Sequence, residues 1–502
     1  VTLDSLNRHR LFPWLASVLT ALFHIAIFPK LQLSWLAFVS LTPLLLLLKT
    51  ETRRRLFLFG FVCGFLFDLG NLYWIYFVIQ HYSSVHPVLC IGILFLLCLL
   101  LGFFWALFLY LAGLLRDQAG LSRALFVAPF LWVLLEWTRG YVTQFPWCLF
   151  GYSQSNHLRI AQFASFAGVF GLSWLLVAWN AALVTFIVLR KRLFLAAIAT
   201  ILLSIAIYGH FRIQMPVGDR SSKIGVVQGN VPQDVKLDYS FGESIHRKHL
   251  AMTMDLVERA KPEIVFWSEA ATLFPLRDGG IWTKQIGELA SVNRIPIVLG
   301  SDTFTGEEVF NSAYLVNESG QIQGQYDKVY LVPFGEFVPL KKIFFFAGKM
   351  VPEISDFTAG TNFEPFVIKG EKVSVNICFE VVFPQLSREF CMRGATLLAT
   401  ITNDAWFGRT AAPYQHFAMA TMRSIENRRY MVRAANTGIS GFVDPYGRIL
   451  QETELFVPAG ITGDVRFVNE KTFYTRFGDW IVYLSMFVCA AAFLARTKQV
   501  RR

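Results

Sequence analysis

The sequence predicts an α/β domain with a mixed sheet, set between apolar helices that cross a membrane. Three observations predict it. Hydrophobic residues make up 54% of the 502 residues and mean hydropathy is +0.47, too apolar for one soluble domain. The apolar residues concentrate in residues 11–211 and again in 479–495. Between those blocks, from residue 222 onward, short β-rich runs alternate with helical stretches and turns.

A bilayer core takes about 20 apolar residues per helix. On that ruler the chain has eight spans, at 11–29, 31–48, 56–80, 87–115, 123–138, 160–189, 193–211 and 479–495. Lysines and arginines collect in alternate connections: Arg8 and Arg10, Lys49 with Arg53 to Arg55, Arg116 and Arg123, Arg190 to Arg192, and Arg496 with Lys498, Arg501 and Arg502. The intervening connections hold few. The positive-inside rule then places both termini in the cytoplasm and 213–478 on the far side, which in a bacterium would be the outer, periplasmic face of the inner membrane. The net charge of +11 follows this alternation, so no nucleic-acid partner is expected. The first span ends in "FHIAIFPK" with no small-residue cleavage site and reads as a retained anchor. Three regions follow: 1–212 with seven spans, the outer domain 213–478, and 479–502 with the eighth span and a basic tail. Asp68, Asn71 and Glu136 fall inside spans. Hydrogen bonding between helices accounts for each, and lining of a lipid path is the alternative.

The outer domain reads as a series of elements. Strands are predicted at 222–230, 263–270, 295–304, 373–380 and 395–404, and helices at 241–260, 281–292 and "PQLSREFCMRG". A hairpin turns around Asn317–Gly320, and a helix end and second hairpin lie within 425–453 at "DPYG". No internal repeat is visible. The segment 340–352, "LKKIFFFAGKMVP", sets three phenylalanines among lysines and suits a membrane interface.

Seven cysteines are present. Cys63, Cys90, Cys98 and Cys489 fall in spans and read as apolar filler, and Cys148 lies in an outer loop. Cys378 and Cys391 belong to the outer domain. They could form one bridge, but Cys391 lies in a helical stretch and reads as packing. Cys378 ends the strand "VSVNICFE". It is either a buried structural thiol or a nucleophile. The domain contains neither a G-x-S-x-G elbow nor an H-E-x-x-H motif, and its histidines are few: His246, His249 and His416. No metal site and no cofactor are expected. Without a well-placed histidine another base must activate Cys378. Glu269 ends the apolar run "IVFWSE", where burial is expected to raise its pKa toward neutrality. Lys328 ends a hairpin strand and could hold a developing oxyanion. Glu336, eight residues on, could orient that lysine. Each is ordinary alone; together they make a set of acid, cation and thiol.

Glu269 in "WSEAATLFP", Lys328 in "YDKVYLVPFGEFVP" and Cys378 in "ICFE" resemble the Glu–Lys–Cys triad of the nitrilase superfamily, in that chain order. "TNDAWFG" (402–408) and "RSIENRRYMVRAANTGISG" (423–441) match as well. A triad domain placed before the last of eight spans resembles the apolipoprotein N-acyltransferase family within that superfamily. The resemblance implies a nitrilase-like four-layer αββα sandwich. It implies ping-pong acyl transfer from the sn-1 position of a phospholipid donor, through a thioester on Cys378, to the α-amino group of a diacylated apolipoprotein acceptor. Glu269 is then the base, and Lys328 and the N–H after the cysteine stabilise the oxyanion. Glu336 supports Lys328, Phe379 and Glu380 line the site, and Trp406 lies on a loop near it. A membrane-embedded monomer is expected. Two departures stand out: Leu237 where the family often has tryptophan, and Phe379 where tyrosine is frequent. Two other readings remain open at this stage. One is a membrane-anchored amidase with the same triad. The other is a transporter or receptor whose outer domain only binds a ligand.

Overall fold

A computed structural model describes residues 11–218, 220–338 and 356–495. The aromatic–lysine segment 340–352 and the charged termini lie outside the described residues. Internal contacts divide the chain into two units. One comprises Val1–Phe77, His86–Gln214 and Phe477–Arg502, and the other Val78–Val85 and Met215–Arg476.

The first unit is helical. Among the described residues five helices are long and apolar enough to cross a membrane: Arg53–Leu72, Pro87–Ala119, Leu121–Thr143, Ala164–Leu189 and Arg192–Arg212. Three further apolar stretches are shorter, at Phe12–Ala26, Ser34–Lys49 and Trp480–Leu494. The stretch expected to span at 31–48 is a 3₁₀ turn at Ser34–Phe38, a short α-helix at Thr42–Leu46 and a second 3₁₀ turn at Leu47–Lys49. Pro43 stands inside that short helix, where it lacks an N–H to donate. The stretch expected at 56–80 divides at Tyr73 into Arg53–Leu72 and Trp74–Tyr82. The three polar side chains that fall inside expected spans each meet a partner within the unit. The Phe150 N–H donates to Glu136 Oε1 at 2.6 Å, Asn71 Nδ2 donates to the Phe67 carbonyl of its own helix at 3.2 Å, and Arg139 lies 3.9 Å from Asp68.

The second unit is built from twelve strands: β1 (Ser221–Gln228), β2 (Ile264–Trp267), β3 (Ile297–Thr305), β4 (Glu308–Val316), β5 (Ile322–Asp327), β6 (Phe366–Ile368), β7 (Glu371–Ile377), β8 (Leu397–Thr402), β9 (Met431–Ala435), β10 (Gly441–Val443), β11 (Ile449–Glu452) and β12 (Ala459–Arg466). The strands form two six-stranded sheets, as the nitrilase-like resemblance implied, ordered β12-β1-β2-β3-β4-β5 and β11-β10-β9-β8-β7-β6. Each centres on three parallel strands, β1–β2–β3 and β7–β8–β9, and antiparallel strands extend both ends. The crossovers are helices Gly242–Ala260 and Ile281–Asn293 in the first sheet, Pro384–Met392 and Ala412–Asn427 in the second. The two halves therefore share one topology, which the sequence did not display as a repeat. Central strands are buried on both faces, so β2 reads as an unbroken apolar run, and β8 is buried throughout with two threonines among its apolar residues. Leu256, Ile286 and Leu289 from the first two crossover helices pack on Val227, Val265, Trp267 and Leu299. Strand β1 packs across on β9, which brings the sheets together.

Candidate active site

The candidate side chains stand at strand ends: two follow parallel strands, where open α/β sheets leave a crevice, and the third follows the antiparallel edge strand β5. Glu269 lies two residues past β2, Cys378 directly follows β7, and Lys328 directly follows β5. Lys328 Nζ lies 3.3 Å from Glu269 Oε1 and 2.7 Å from Glu336 Oε1. The Glu269 carboxylate and the Lys328 ammonium both act electrostatically on the Cys378 thiol. Glu269, Lys328, Cys378 and Glu336 thus form one cluster.

Each member is held from several directions. Asn311 on β4 donates through one Nδ2 to both carboxylates, at 2.8 Å to Glu269 Oε1 and 2.9 Å to Glu336 Oε1. The Asn403 N–H, beyond β8, donates to Glu269 Oε2 at 2.8 Å. The Asn403 side chain is fixed by Gln233 at 2.7 Å and Asn436 at 2.9 Å. Lys236 donates to the Glu269 carbonyl at 3.0 Å. The close approach of β3 to the Glu269 backbone requires glycine: a Cβ on Gly300 would stand 2.5 Å from Ala270 N and 2.7 Å from Glu269 Cα.

Glu380 is fully buried and ties the thiol loop to the lysine loop. Its Oε1 accepts from Tyr326 OH at 2.8 Å, Val329 N at 2.6 Å and Tyr330 N at 3.2 Å, and its Oε2 accepts from Ile377 N at 2.7 Å. Phe379 is buried and packs edge-to-face on Phe383 with ring centres 5.2 Å apart. Trp406, on the 3₁₀ turn Asp404–Phe407, packs edge-to-face on Tyr82 at 4.9 Å. Its described ring contact is with Tyr82, not with the triad. Leu237 is 52% exposed, so it adds nothing to the core.

Electrostatics correct one expectation. Burial does act to raise the Glu269 pKa, but the Lys328 ammonium, the Asn311 amide, Lys236 and the Cys378 thiol together outweigh it. The carboxyl stays below its ordinary value and is ionised at neutral pH. Burial and the Glu269 charge hold the Cys378 thiol well above its usual range. Burial lowers the Lys328 pKa, yet Glu336 and Glu269 raise it further, and the net direction is up. At rest the cluster is a neutral thiol, a carboxylate base and a fixed cation. Burial pushes Glu380 up to about 7 against its hydrogen bonds. It also pushes Lys236 down to about 8, a shift that Glu269 and Asp302 partly offset.

One histidine that the sequence reading left without a role lies beside Cys378. His416 Nε2 is 3.1 Å from the backbone carbonyl of Cys378, so it meets the main chain and not the sulfur. Asn311, Asn403 and His416 were missed because nothing local marks them. They sit 42, 134 and 38 residues from the groups they bind. All seven cysteines are free, and Cys378 and Cys391 do not pair.

Two family models match the chain. Residues 20–182 match the apolipoprotein N-acyltransferase N-terminal domain, and residues 223–467 match carbon-nitrogen hydrolase. An apolipoprotein N-acyltransferase of Geobacter metallireducens is 36% identical over 498 residues, 96% of this chain and 94% of that protein. One from Pseudomonas putida is 33% identical over 95% of this chain and 93% of that protein. Among solved structures, Saccharomyces cerevisiae Nit3, a member of the nitrilase superfamily, is 16% identical, with TM-score 0.39, over 57% of this chain and 99% of that one. Whole-length identity of this order, with both parts of the chain matched separately, shows that the chain belongs to the apolipoprotein N-acyltransferase family.

Proposed function

We propose that this enzyme transfers an acyl chain from the sn-1 position of a phospholipid to the α-amino group of the S-diacylglyceryl-cysteine that begins an apolipoprotein. The observation that carries the reading is the buried Glu269–Lys328 ion pair, whose charges both act on the buried Cys378 thiol. Glu269 takes the thiol proton as sulfur attacks the ester carbonyl carbon. The carbonyl π pair moves to oxygen, where Lys328 and the Phe379 N–H stabilise the oxyanion. The intermediate collapses and the ester C–O bond breaks. The lysophospholipid alkoxide leaves with the proton from Glu269, and a thioester remains on Cys378. The acceptor amine then gives a proton to Glu269 and attacks the thioester. The amide forms and the thiol is restored.

Glu336 keeps Lys328 charged and aimed, and Glu380 keeps the Cys378 and Lys328 loops in register. Trp406 lies on a loop near the site. Eight spans, an αββα layering, a periplasmic catalytic unit, cytoplasmic termini and action as a monomer complete the reading. Several apolar helices and the family membership support it.

The test is intact mass measurement of the purified protein with a defined phospholipid, with and without a diacylated lipopeptide. A hydroxylamine-labile acyl adduct is expected without the acceptor, and its discharge to the lipopeptide when the acceptor is added. Cys378→Ser should form no thioester. No adduct on the wild type would overturn the covalent route. An adduct lost to water at a rate the lipopeptide leaves unchanged would make the chain a hydrolase.

A further inference from the structure

The peptide after Cys378 is held by a buried relay that the triad does not include. Cys378 has φ of +52°, a left-handed conformation that a side-chain-bearing residue rarely adopts. Surrounding contacts must therefore fix it. Its carbonyl accepts from His416 Nε2 at 3.1 Å. His416 sits in the first turn of helix Ala412–Asn427 and is 1% exposed. Its Nδ1 lies 3.0 Å from Arg433 Nη2 and 3.0 Å from Asp404 Oδ1. Arg433 Nη2 donates to Asp404 Oδ2 at 2.7 Å, and Thr402 Oγ1 donates to Asp404 Oδ1 at 2.9 Å. Burial and the Arg433 charge hold the His416 pKa below its usual value, so the ring is neutral and carries one proton. Two neutral tautomers exist. With the proton on Nδ1, the Nε2 lone pair would face the Cys378 carbonyl lone pairs. With the proton on Nε2, that nitrogen donates to Cys378 and Nδ1 accepts from Arg433. In the first arrangement Nδ1 donates to Asp404 but Nε2 has no donor to accept from; in the second both nitrogens are paired, and the Arg433 cation, bound to Asp404 as well, offsets the Asp404 oxygen that then faces the Nδ1 lone pair.

The peptide bond between Cys378 and Phe379 is trans, so the Phe379 N–H points opposite the Cys378 carbonyl. Fixing the carbonyl on the His416 side therefore aims the N–H away from His416. We infer that His416, braced by Asp404 and Arg433, is a positioning residue that sets the Phe379 N–H as an oxyanion donor. The inference rests on the acyl-transfer reading above. It assigns His416 to the tetrahedral step and not to activation of the thiol.

That division sets the experiment. Thioester formation from phospholipid and alkylation of Cys378 by iodoacetamide are measured in parallel on the full-length protein. Alkylation needs the thiolate but no oxyanion hole. His416→Ala is expected to slow thioester formation about 100-fold, the order of one lost oxyanion donor, while alkylation changes by less than about threefold. His416→Gln, whose amide can donate to the same carbonyl, is expected to recover most of the loss. His416→Met fills the imidazole volume without a donor and should behave as the alanine variant. Thioester formation near the wild-type rate in the alanine or methionine variant overturns the inference. So does an equal loss of both reactions, which would mean the thiol itself has moved. Failure of both variants to accumulate also counts against it, because it assigns the residue to folding. If the wild type forms no thioester, the acyl-transfer reading has failed, and that control separates the two.

Discussion

At Glu269 burial and charge pull in opposite directions, and the outcome decides how the site responds to pH. The sequence displays the apolar run before Glu269, and from that alone a raised pKa follows. It does not display Asn311 or Lys236, which reach Glu269 from 42 and 33 residues away. With them the carboxyl is held below its ordinary value of 4.5. A general base must be ionised, so lowering its pKa extends activity toward acid. Single-turnover thioester formation is therefore expected to stay level from pH 8 down to pH 5, with the acid limb below that. A limb centred near neutrality would contradict this assignment. Asn311→Asp would replace the shared donor between Glu269 and Glu336 with a third carboxylate. Like charges favour protonation, so the limb should move up by about one to two units and the rate at pH 5 should fall. The triad was legible because each member stands in a distinctive short stretch. The residues that set its protonation were not, because they are ordinary asparagines and lysines placed by the fold.

The elements that carry these residues were legible in proportion to how their faces differ. Helix Gly242–Ala260 has one buried face, and its apolar spacing gives it away. Helix Ala412–Asn427 is buried on nearly every face, including His416, Arg423 and Glu426, so it shows no stripe; only its end was read. Strands β9 and β12 follow and were not separated from their turns. The common topology of the two sheets was invisible for a related reason. Strand order and helical crossovers can repeat while the side chains filling them do not. Strand β3 offers a test at this scale. Gly300 allows the strand to run against the Glu269 backbone, where Ala270 has φ of +44°. Gly300→Ala would push a Cβ into Ala270 N and Glu269 Cα, both backbone atoms that cannot swing aside. Overpacking of this kind costs about 1–3 kcal/mol. The expected result is a folded protein with thioester formation reduced at least tenfold, since about 1 Å of misplacement is enough for a large loss. A wild-type rate in this variant would show that the loop bearing Glu269 adapts freely.

For the whole molecule, chemistry and charge distribution constrain the same quantity, the side of the membrane on which the second unit works. Acyl transfer to an exported lipoprotein requires the thiol on the outer face. The charges agree: Arg190, Lys191 and Arg192 follow one long helix, and Arg116 and Arg123 flank the junction of two others. Under the positive-inside rule those connections stay in the cytoplasm. On the proposed topology, helix Arg192–Arg212 leads the chain to the opposite side before β1 begins. The native cysteines are all buried, so an introduced surface cysteine can be read against a low background. Ser319 lies exposed in the β4–β5 turn, and Gln118 lies exposed between Arg116 and Arg123. In cells with a permeabilised outer membrane and an intact inner one, Ser319→Cys is expected to react with an impermeant maleimide. Gln118→Cys should react only after the inner membrane is opened. The reverse pattern would place Cys378 in the cytoplasm, away from emerging lipoproteins. The triad would then have to serve a substrate on that side, and the acceptor assigned here would be wrong even if the thioester forms.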